Sequence, residues 1–215
     1  MVLSRMAPPA VRWAEATAVV AERDPAMAAL VAAVGPCTLA PRRIPGGHFA
    51  ALARAILYQQ LAGAAAAAIH RRFTALFAGR PTPEAVAAVP DDALRGAGVS
   101  AAKAASIKDL AAKVLDGTVR LEGIGKLDDE EVIRRLVAVR GIGRWTGEMF
   151  LIFQLARPDV WPVGDLGVRA GFARAHRLAA PPGPAQLTAL GERYRPWRTV
   201  AAWYCWRAVD AGGVW

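Results

Sequence analysis

The sequence of 215 residues contains only two cysteines, Cys37 and Cys205. Two thiols cannot staple a fold of this size with disulfides or hold a four-thiolate iron–sulfur cluster, and no zinc-ligand spacing surrounds them. We therefore expect both cysteines to be small buried residues, and we predict no cofactor.

Long uncharged hydrophobic runs are missing as well. The longest uncharged stretch, from Pro25 to Pro41, contains three prolines and is shorter than the roughly 20 residues that a membrane helix needs. The residues before Pro9 lack the apolar core of a signal peptide. The sequence thus predicts no membrane span, and we expect the protein in the cytoplasm.

Clear β-strand patterns are also absent, because the few alternating stretches are short and are interrupted by Gly or Pro. Apolar residues instead recur at helical spacing almost throughout the chain. Asp24, Ser100 and Asp128 each precede such a segment and are typical helix N-caps. We predict an all-α protein of about nine to eleven helices.

Positive charge exceeds negative charge by a wide margin. The chain has 27 Lys and Arg against 18 Asp and Glu, which gives a net charge of +9 and a pI near 10.5. Such a surplus favours a polyanionic partner, because binding to phosphates releases counterions. A basic surface also occurs in proteins that need it only for solubility, so charge alone leaves both interpretations open.

Residues 136–147 predict two helices joined by a very short turn, Arg140 to Gly143. The two glycines of the turn permit positive φ angles and leave the backbone open, so that a phosphate oxygen can approach the amides that begin the second helix. Ile142 between them is expected to anchor the turn in the core. A turn of this kind binds a duplex backbone without reading sequence. A plain helix–helix turn is the alternative; the flanking caps and the net charge favour binding.

Asp165 stands 22 residues beyond Gly143, after a proline-bearing loop and before an apolar helical pattern. The position is typical of a helix N-cap, and a helix N-terminus favours a negative side chain. A capping role and a chemical role are compatible, and we keep both.

Five short segments in order along the chain point to a family. They are residues 54–61, 98–103, 141–146, 165–169 and 196–198, which read RAILYQQL, GVSAAK, GIGRWT, DLGVR and PWR. Together they resemble the helix–hairpin–helix DNA glycosylase superfamily, and in particular its 3-methyladenine DNA glycosylase II branch. The resemblance extends from about residue 49 to residue 207.

The resemblance implies an all-α, two-lobed DNA glycosylase fold with a cleft between the lobes. Residues 46–165 would form one lobe, with the helix–hairpin–helix at 128–154, and residues 1–45 with 166–215 the other. It also implies a single catalytic unit that flips a damaged nucleotide out of duplex DNA and hydrolyses its N-glycosidic bond, which starts base excision repair. We expect alkylated purines such as 3-methyladenine as substrates, and a monomer that is nucleoid-associated in a bacterium.

By the same resemblance, Asp165 is the catalytic carboxylate, which stabilises positive charge on the sugar and orients the attacking water. The electron-rich face of a Trp side chain attracts a cationic base. The side chains assigned to the base pocket are Tyr58, Trp145, Met149 and Trp206, with a core position as the alternative for the two tryptophans. Trp203 is expected in the core.

An Ala-rich helical segment from 47 to 77 is broken by Gln59, Gln60 and Gly63, which predicts an exposed turn. The resemblance implies that either Gln60 or Leu61 fills the gap left by the flipped nucleotide; for Leu61 an ordinary core position is the alternative. The other residues assigned to DNA binding lie in the hairpin and at the start of the helix after it: Gly141, Ile142, Gly143, Arg144 and Thr146. Relatives hold an alkali cation on the backbone carbonyls of this hairpin, and the sequence leaves open whether this chain does.

A glycosylase that also cleaves the strand needs a Lys nucleophile, and relatives of that kind place it shortly after the hairpin, where this chain has Arg144 and Trp145. We therefore predict hydrolysis without strand cleavage. Two alternatives stay open: a non-catalytic module that binds damaged DNA, and a glycosylase for another lesion such as hypoxanthine or ethenoadenine.

Several further polar residues have two interpretations. One is that they bind phosphate or support the fold, and Arg169 in particular could fix the loop that carries Asp165; the other is that they belong to a solvated face or an internal ion pair. The residues are Arg144, Lys103, Lys108 and Arg169. The three histidines lack metal-ligand spacing and are expected at the surface or as helix caps: His48, His70 and His176.

Overall fold

The computed structural model describes residues 9–40, 44–61 and 63–210, and every regular element in these ranges is helical. The predicted all-α class is confirmed. No helix in the same ranges is both long and apolar enough to span a membrane. The α-helices are α1 Pro9–Arg23, α2 Pro25–Val34, α3 Gly47–Tyr58, α4 Gly63–Ala75, α5 Pro83–Ala88, α6 Asp91–Gly96, α7 Ala101–Leu115, α8 Asp129–Val137, α9 Arg144–Phe153, α10 Leu166–Ala175, α11 Pro184–Gly191 and α12 Arg198–Val209, with 3₁₀ turns at Ile124–Lys126 and Glu192–Tyr194.

The described chain divides into two compact units. Residues up to 40 and from Leu155 onward form the terminal unit, and the residues between them, up to Gln154, form the central unit. The sequence-based lobes instead assign 155–165 to the central part. These residues belong to the terminal unit because the Val160 amide donates to the Thr199 hydroxyl (2.9 Å) and the Trp161 indole donates to the Leu187 carbonyl (2.8 Å).

The central unit comprises α3 to α9. Leu52, Ile107, Leu136 and Ile152, from four different helices, are fully buried in it. Burying each such side chain stabilises the fold by about 1.5–3 kcal/mol relative to leaving it exposed. The caps predicted from sequence are present, because the Ser100 hydroxyl and the Asp128 carboxylate each accept a hydrogen bond from the amide three residues on.

The terminal unit comprises α1, α2 and α10 to α12. Most side chains of α12 are buried, Trp203 among them, as expected. Helices α10 and α12 touch backbone to backbone, since a Cβ at Gly171 would lie 1.8 Å from the carbonyl oxygen of Cys205. Cys37 and Cys205 are buried free thiols, as predicted, and burial raises the pKa of Cys37 to about 11.

Candidate functional site

The predicted helix–hairpin–helix is present in the central unit, where α8 and α9 flank the hairpin 138–143. Gly141 has a φ of +77°, and a Cβ there would lie 2.6 Å from the Ser106 hydroxyl, so only glycine fits. Gly143 has a φ of −96° because it is the extended N-cap of α9. Ile142 is buried and anchors the hairpin, as predicted.

The N-terminus of α9 is open to an anion. The first amides of a helix have no partner within the helix, and Gly143 has no side chain to cap them. Gly143, Arg144 and Trp145 are exposed, and open space surrounds the position of a Cβ at Gly143. These features suit a phosphate oxygen, which the amides and the helix dipole would both attract.

Gln59 joins the end of α3 to the hairpin. Its Nε2 donates to the carbonyl oxygen of Gly141 (2.9 Å) and to the hydroxyl of Thr146 (3.3 Å). Thr146, predicted as a DNA-binding residue, is buried, so its side chain belongs to this joint rather than to the exposed surface. The Gln59–Gln60 pair was predicted to break the helix, but no sequence pattern indicated that Gln59 bridges to the hairpin.

The lysines of α7 support the fold. Lys103 Nζ donates to the carbonyl oxygens of Leu57 (2.7 Å) and Gln59 (2.8 Å), which end α3, and burial lowers the pKa of this amine. Lys108 and Lys113 likewise donate to backbone carbonyls. Of the interpretations offered by the sequence, the structure shows the supporting one for Lys103 and Lys108.

The turn after α3 exposes both candidates for the gap-filling side chain. Gln60 has a φ of +55°, which is unusual for a residue with a Cβ, and it is exposed. Leu61 is 39% exposed, so its interpretation as a core residue is wrong. Lys103 donates to the carbonyl oxygen of Gln59, where this turn begins, and the Gln59 side chain donates to the hairpin.

The aromatic candidates of the central unit differ in their surroundings. Trp145 is 46% exposed, which excludes a core role, and Met149 one turn later is half-buried. Tyr58 is also half-buried, and the Arg54 guanidinium lies 3.9 Å from its ring centroid. Because a cation already covers one face of Tyr58, that face is unsuited to a cationic base. The pocket roles of these three residues stay predictions.

Arg144 is engaged in ion pairs. Its guanidinium donates to Glu130 (2.9 Å) and lies 3.2 Å from a carboxylate oxygen of the buried Glu148. The hydrogen bonds from Arg144 hold the pKa of Glu130 below its usual value. The pair between Arg144 and Glu130 is exposed, and exposed ion pairs contribute little to stability. Arg144 can therefore exchange Glu130 for a phosphate with little loss of free energy.

Asp165, in the terminal unit, is the N-cap of α10, as its position predicted. Its Oδ1 accepts from the Val168 amide (2.8 Å) and from the Trp206 indole Nε1 (2.9 Å), and it is 8% exposed. A Cβ at Gly167 would lie 3.0 Å from Trp206 Cδ1 and 3.1 Å from Asp165 Oδ1. Trp206 was predicted in the base pocket, but its hydrogen bond to Asp165 was not predicted, because the two residues are 41 positions apart and lie at α10 and α12.

Arg169, His48 and His70 differ from expectation, whereas His176 does not. Arg169 Nε donates to the Pro182 carbonyl (2.8 Å), so it fixes the loop before α11 rather than the one before α10. His48 and His70 are half-buried against aromatic rings, which corrects their expected surface positions. His176 is the C-cap of α10, one of the two roles expected for it.

No group of three or more His, Cys, Asp or Glu in the described part of the chain is arranged to hold a metal ion. At the hairpin, the Gly141 carbonyl accepts a hydrogen bond from Gln59. The sequence left an alkali cation at the hairpin carbonyls open, and it stays open.

Residues 53–196 match the family model of the HhH-GPD superfamily base excision DNA repair protein. DNA-3-methyladenine glycosylase 1 of Schizosaccharomyces pombe is 41% identical over 159 residues, which are 73% of this chain and 70% of that protein. The structure of the S. pombe 3-methyladenine DNA glycosylase Mag1 in complex with abasic DNA has a TM-score of 0.81 at 36% identity, covering 90% of this chain and 95% of that one. A DNA-3-methyladenine glycosidase from Bacillus halodurans gives 0.81 at 32% identity, covering 91% and 89%.

Proposed function

Because this chain belongs to the HhH-GPD superfamily of base excision DNA repair proteins, in its alkylbase branch, we propose that it is a DNA glycosylase that hydrolyses the N-glycosidic bond of alkylated purines such as 3-methyladenine in duplex DNA. The observation that carries the proposal is the environment of Asp165. Its carboxylate accepts hydrogen bonds from two N–H donors at the N-terminus of α10, where the helix dipole favours negative charge.

The chemistry needs a fixed negative charge more than a nucleophile. As the glycosidic bond breaks, positive charge develops on the sugar, and a preorganised carboxylate stabilises that charge without reorganising. Asp165 also accepts hydrogen bonds, so it can orient the water that attacks C1′ of the sugar. An alkylated purine is itself cationic and leaves readily, so the enzyme need not protonate it.

Hydrolysis without strand cleavage is the form of the reaction that we propose. A lyase step requires an uncharged amine that attacks the sugar. Lys103, Lys108 and Lys113 each donate to protein carbonyls, and the only other lysine is Lys126, in a 3₁₀ turn. No lysine follows the hairpin in the sequence.

We assign duplex binding to the hairpin and to the turn after α3. The open N-terminus of α9 offers amides to a backbone phosphate, which contacts DNA of any sequence. The exposed turn at Gln60 and Leu61 offers a side chain to the gap that base flipping leaves. Gln59 holds the two parts together. We propose that the protein does this as a monomer.

The proposal is tested with duplexes that each carry one defined lesion, 7-methylguanine, ethenoadenine or hypoxanthine, and with alkylated DNA from which released 3-methyladenine is quantified by mass spectrometry. Heat and alkali then break the strand at abasic sites. We expect release of alkylated purines and strand breaks that require the alkali. Breaks without alkali would contradict the monofunctional reaction, and excision of hypoxanthine alone would redirect the substrate class.

The Asp165→Asn variant tests the carboxylate itself. Asn is also a good N-cap, so the fold should survive while the negative charge is lost. We expect the single-turnover excision rate to fall about 10³-fold, or about 4 kcal/mol. The matched control is Asp128→Asn, the same change at the N-cap of α8, which should keep its rate. Undiminished excision by the Asp165 variant would contradict the role of this carboxylate. No excision by the unmodified protein of any lesion that it binds would favour the non-catalytic module.

A further inference from the structure

A basic cleft lies in the central unit at the C-terminal ends of α7 and α8. Its volume is about 430 Å³, and it is lined by Gly117, Thr118, Arg120, Arg134, Arg135 and Ala138. Every charged residue of this lining is an arginine. None of the residues assigned above to catalysis, to the base pocket or to duplex binding belongs to the cleft.

The three arginines of the cleft are only partly neutralised. Glu131, one turn earlier on α8, accepts hydrogen bonds from Arg134 (2.7 Å) and from Arg135 (2.6 Å). Arg135 uses its Nε in this pair, so both of its Nη groups can bind a ligand. Arg120 is exposed, and no ion pair of the described residues includes it. One carboxylate against three guanidinium groups leaves two positive charges at the cleft.

The polar groups at the ends of α7 and α8 have partners other than these arginines. The last carbonyl groups of a helix attract cations, so arginines at such a place can serve the helix alone. Here the Lys113 carbonyl accepts from the Val119 amide (2.8 Å), and Lys113 Nζ donates to the Ala138 carbonyl (2.6 Å). Asp116, the C-cap of α7, accepts from the Thr118 amide (2.8 Å). The arginines of the cleft are therefore not needed to satisfy these groups.

The cleft and the hairpin are fixed to each other. Ala138 lines the cleft and begins the hairpin. Asp109 on α7 accepts from the Arg140 amide (2.7 Å) and from Lys113 Nζ (2.8 Å), so α7 holds the hairpin at two points. Ala138 and Gly143 are five residues apart in the sequence, so their Cα atoms lie at most about 18 Å apart. A phosphate at the open N-terminus of α9 and an anion in the cleft are thus separated by about five base pairs or fewer along a duplex.

We propose that this cleft binds a second backbone phosphate of the duplex through Arg120 and Arg135, while the N-terminus of α9 binds the first. The inference rests on the duplex binding proposed above. Guanidinium groups suit this ligand because their fixed fork of N–H donors matches the oxygens of a phosphate. Two phosphate contacts at a fixed separation orient the duplex on the central unit, which a single contact does not. A free phosphate ion has the same chemistry, and the experiments below separate the two sources.

The test is the salt dependence of affinity for a short undamaged duplex, measured by fluorescence anisotropy. A double variant, Arg120→Gln with Arg135→Gln, should lose about 0.9 from the slope of log affinity against log salt and bind about eight-fold more weakly at about 0.1 M salt. Arg120→Lys keeps the charge and should keep the slope. The matched control is Arg80→Gln, at an exposed arginine of the central unit outside the cleft, which should also keep the slope. Circular dichroism checks the fold, and if the double variant unfolds, Arg120→Gln alone decides, because it breaks no ion pair of the described residues.

Phosphate-ethylation interference locates the contacts on a duplex whose register is fixed by one abasic-site analogue. We expect two separate positions at which an ethyl group weakens binding, about five base pairs apart or fewer, and the double variant should lose one of them. Equal slopes for the folded variants and the unmodified protein would overturn this inference alone.

The source of the phosphate is tested by calorimetric titration with inorganic phosphate. Binding that the double variant loses, together with unchanged duplex slopes, would assign the cleft to the free ion and overturn the duplex contact. Absence of all duplex binding by the unmodified protein would instead overturn the proposed function, and this inference with it.

Discussion

Asp165 and Trp206 approach each other because residue 167 has no side chain. The indole donates to Oδ1 at 2.9 Å, and a Cβ at Gly167 would meet both groups at 3.0–3.1 Å. Such contacts are tighter than ordinary van der Waals separations, so one of the two groups would have to move. The orientation of the carboxylate therefore depends on a glycine that makes no polar contact with it.

Substitution of Gly167 by Ala should therefore impair catalysis without unfolding the protein. Ala is the better helix former by up to about 1 kcal/mol, so the free energy of unfolding should hold or rise slightly. We expect the single-turnover excision rate to fall about ten-fold, since displacing a reacting group by a few tenths of an ångström loses about 1.4 kcal/mol. Gly164→Ala, where a Cβ meets open space, is the control. Equal rates for both variants would show that the approach of Trp206 to Asp165 is unimportant.

Single residues were predictable where their partners are near in sequence. Ser100, Asp128 and Asp165 cap their helices through amides three residues away, and sequence predicts such contacts. The hydrogen-bond partners of Asp24, His176 and Tyr194, are 152 and 170 residues away, so no local sequence pattern predicts them. The cation over the Tyr58 ring is different, because Arg54 lies only four residues earlier on α3, at a spacing that brings side chains together on one helix face.

At the scale of elements, the turn after α3 and the hairpin act as one piece because Gln59 and Lys103 fix them. An exposed Leu on a turn held this firmly can enter a duplex with little loss of side-chain entropy. Gln60 supports the turn by adopting a left-handed conformation, which favours Leu61 as the inserted side chain.

We expect Leu61→Ala to lower the excision rate about ten-fold or more on duplex DNA and little on single-stranded DNA that carries the same lesion. The reason is that only a paired, stacked base must be extruded, at a few kcal/mol. Single-turnover rates on the two substrates measure this difference. Gln60→Ala is the matched variant, and a larger duplex-specific loss there would assign the gap-filling role to Gln60 instead.

The hairpin was predictable as an element, whereas its supports were not. Two glycines around Ile142 between helical patterns indicate a tight turn with a buried anchor. Lysines spaced along one face of α7 resemble a solvated or phosphate-binding face, yet the structure uses them to hold carbonyls at the ends of other elements. Sequence shows the charge of a side chain but not which carbonyl it reaches.

For the whole molecule, the division into units was predictable only approximately. Residues 155–165 have no strong periodicity, and their place in the terminal unit depends on hydrogen bonds to Thr199 and Leu187, which lie far along the chain. Net charge, in contrast, is a property that sequence gives directly. The positive excess is shared between the central and terminal units, and several exposed arginines are paired with carboxylates of their own unit.

Because the net charge is +9 and the open helix terminus does not read bases, affinity for undamaged duplex should depend on salt and not on sequence. Each phosphate neutralised contributes a slope of about −0.9 in a plot of log affinity against log salt, so two such contacts predict roughly a ten-fold loss between 50 and 200 mM salt. Fluorescence anisotropy with two duplexes of unrelated sequence measures both slopes. Parallel lines are expected. A flat line would mean that the basic surface serves solubility alone, and a marked difference between the two duplexes would mean that bases are read directly.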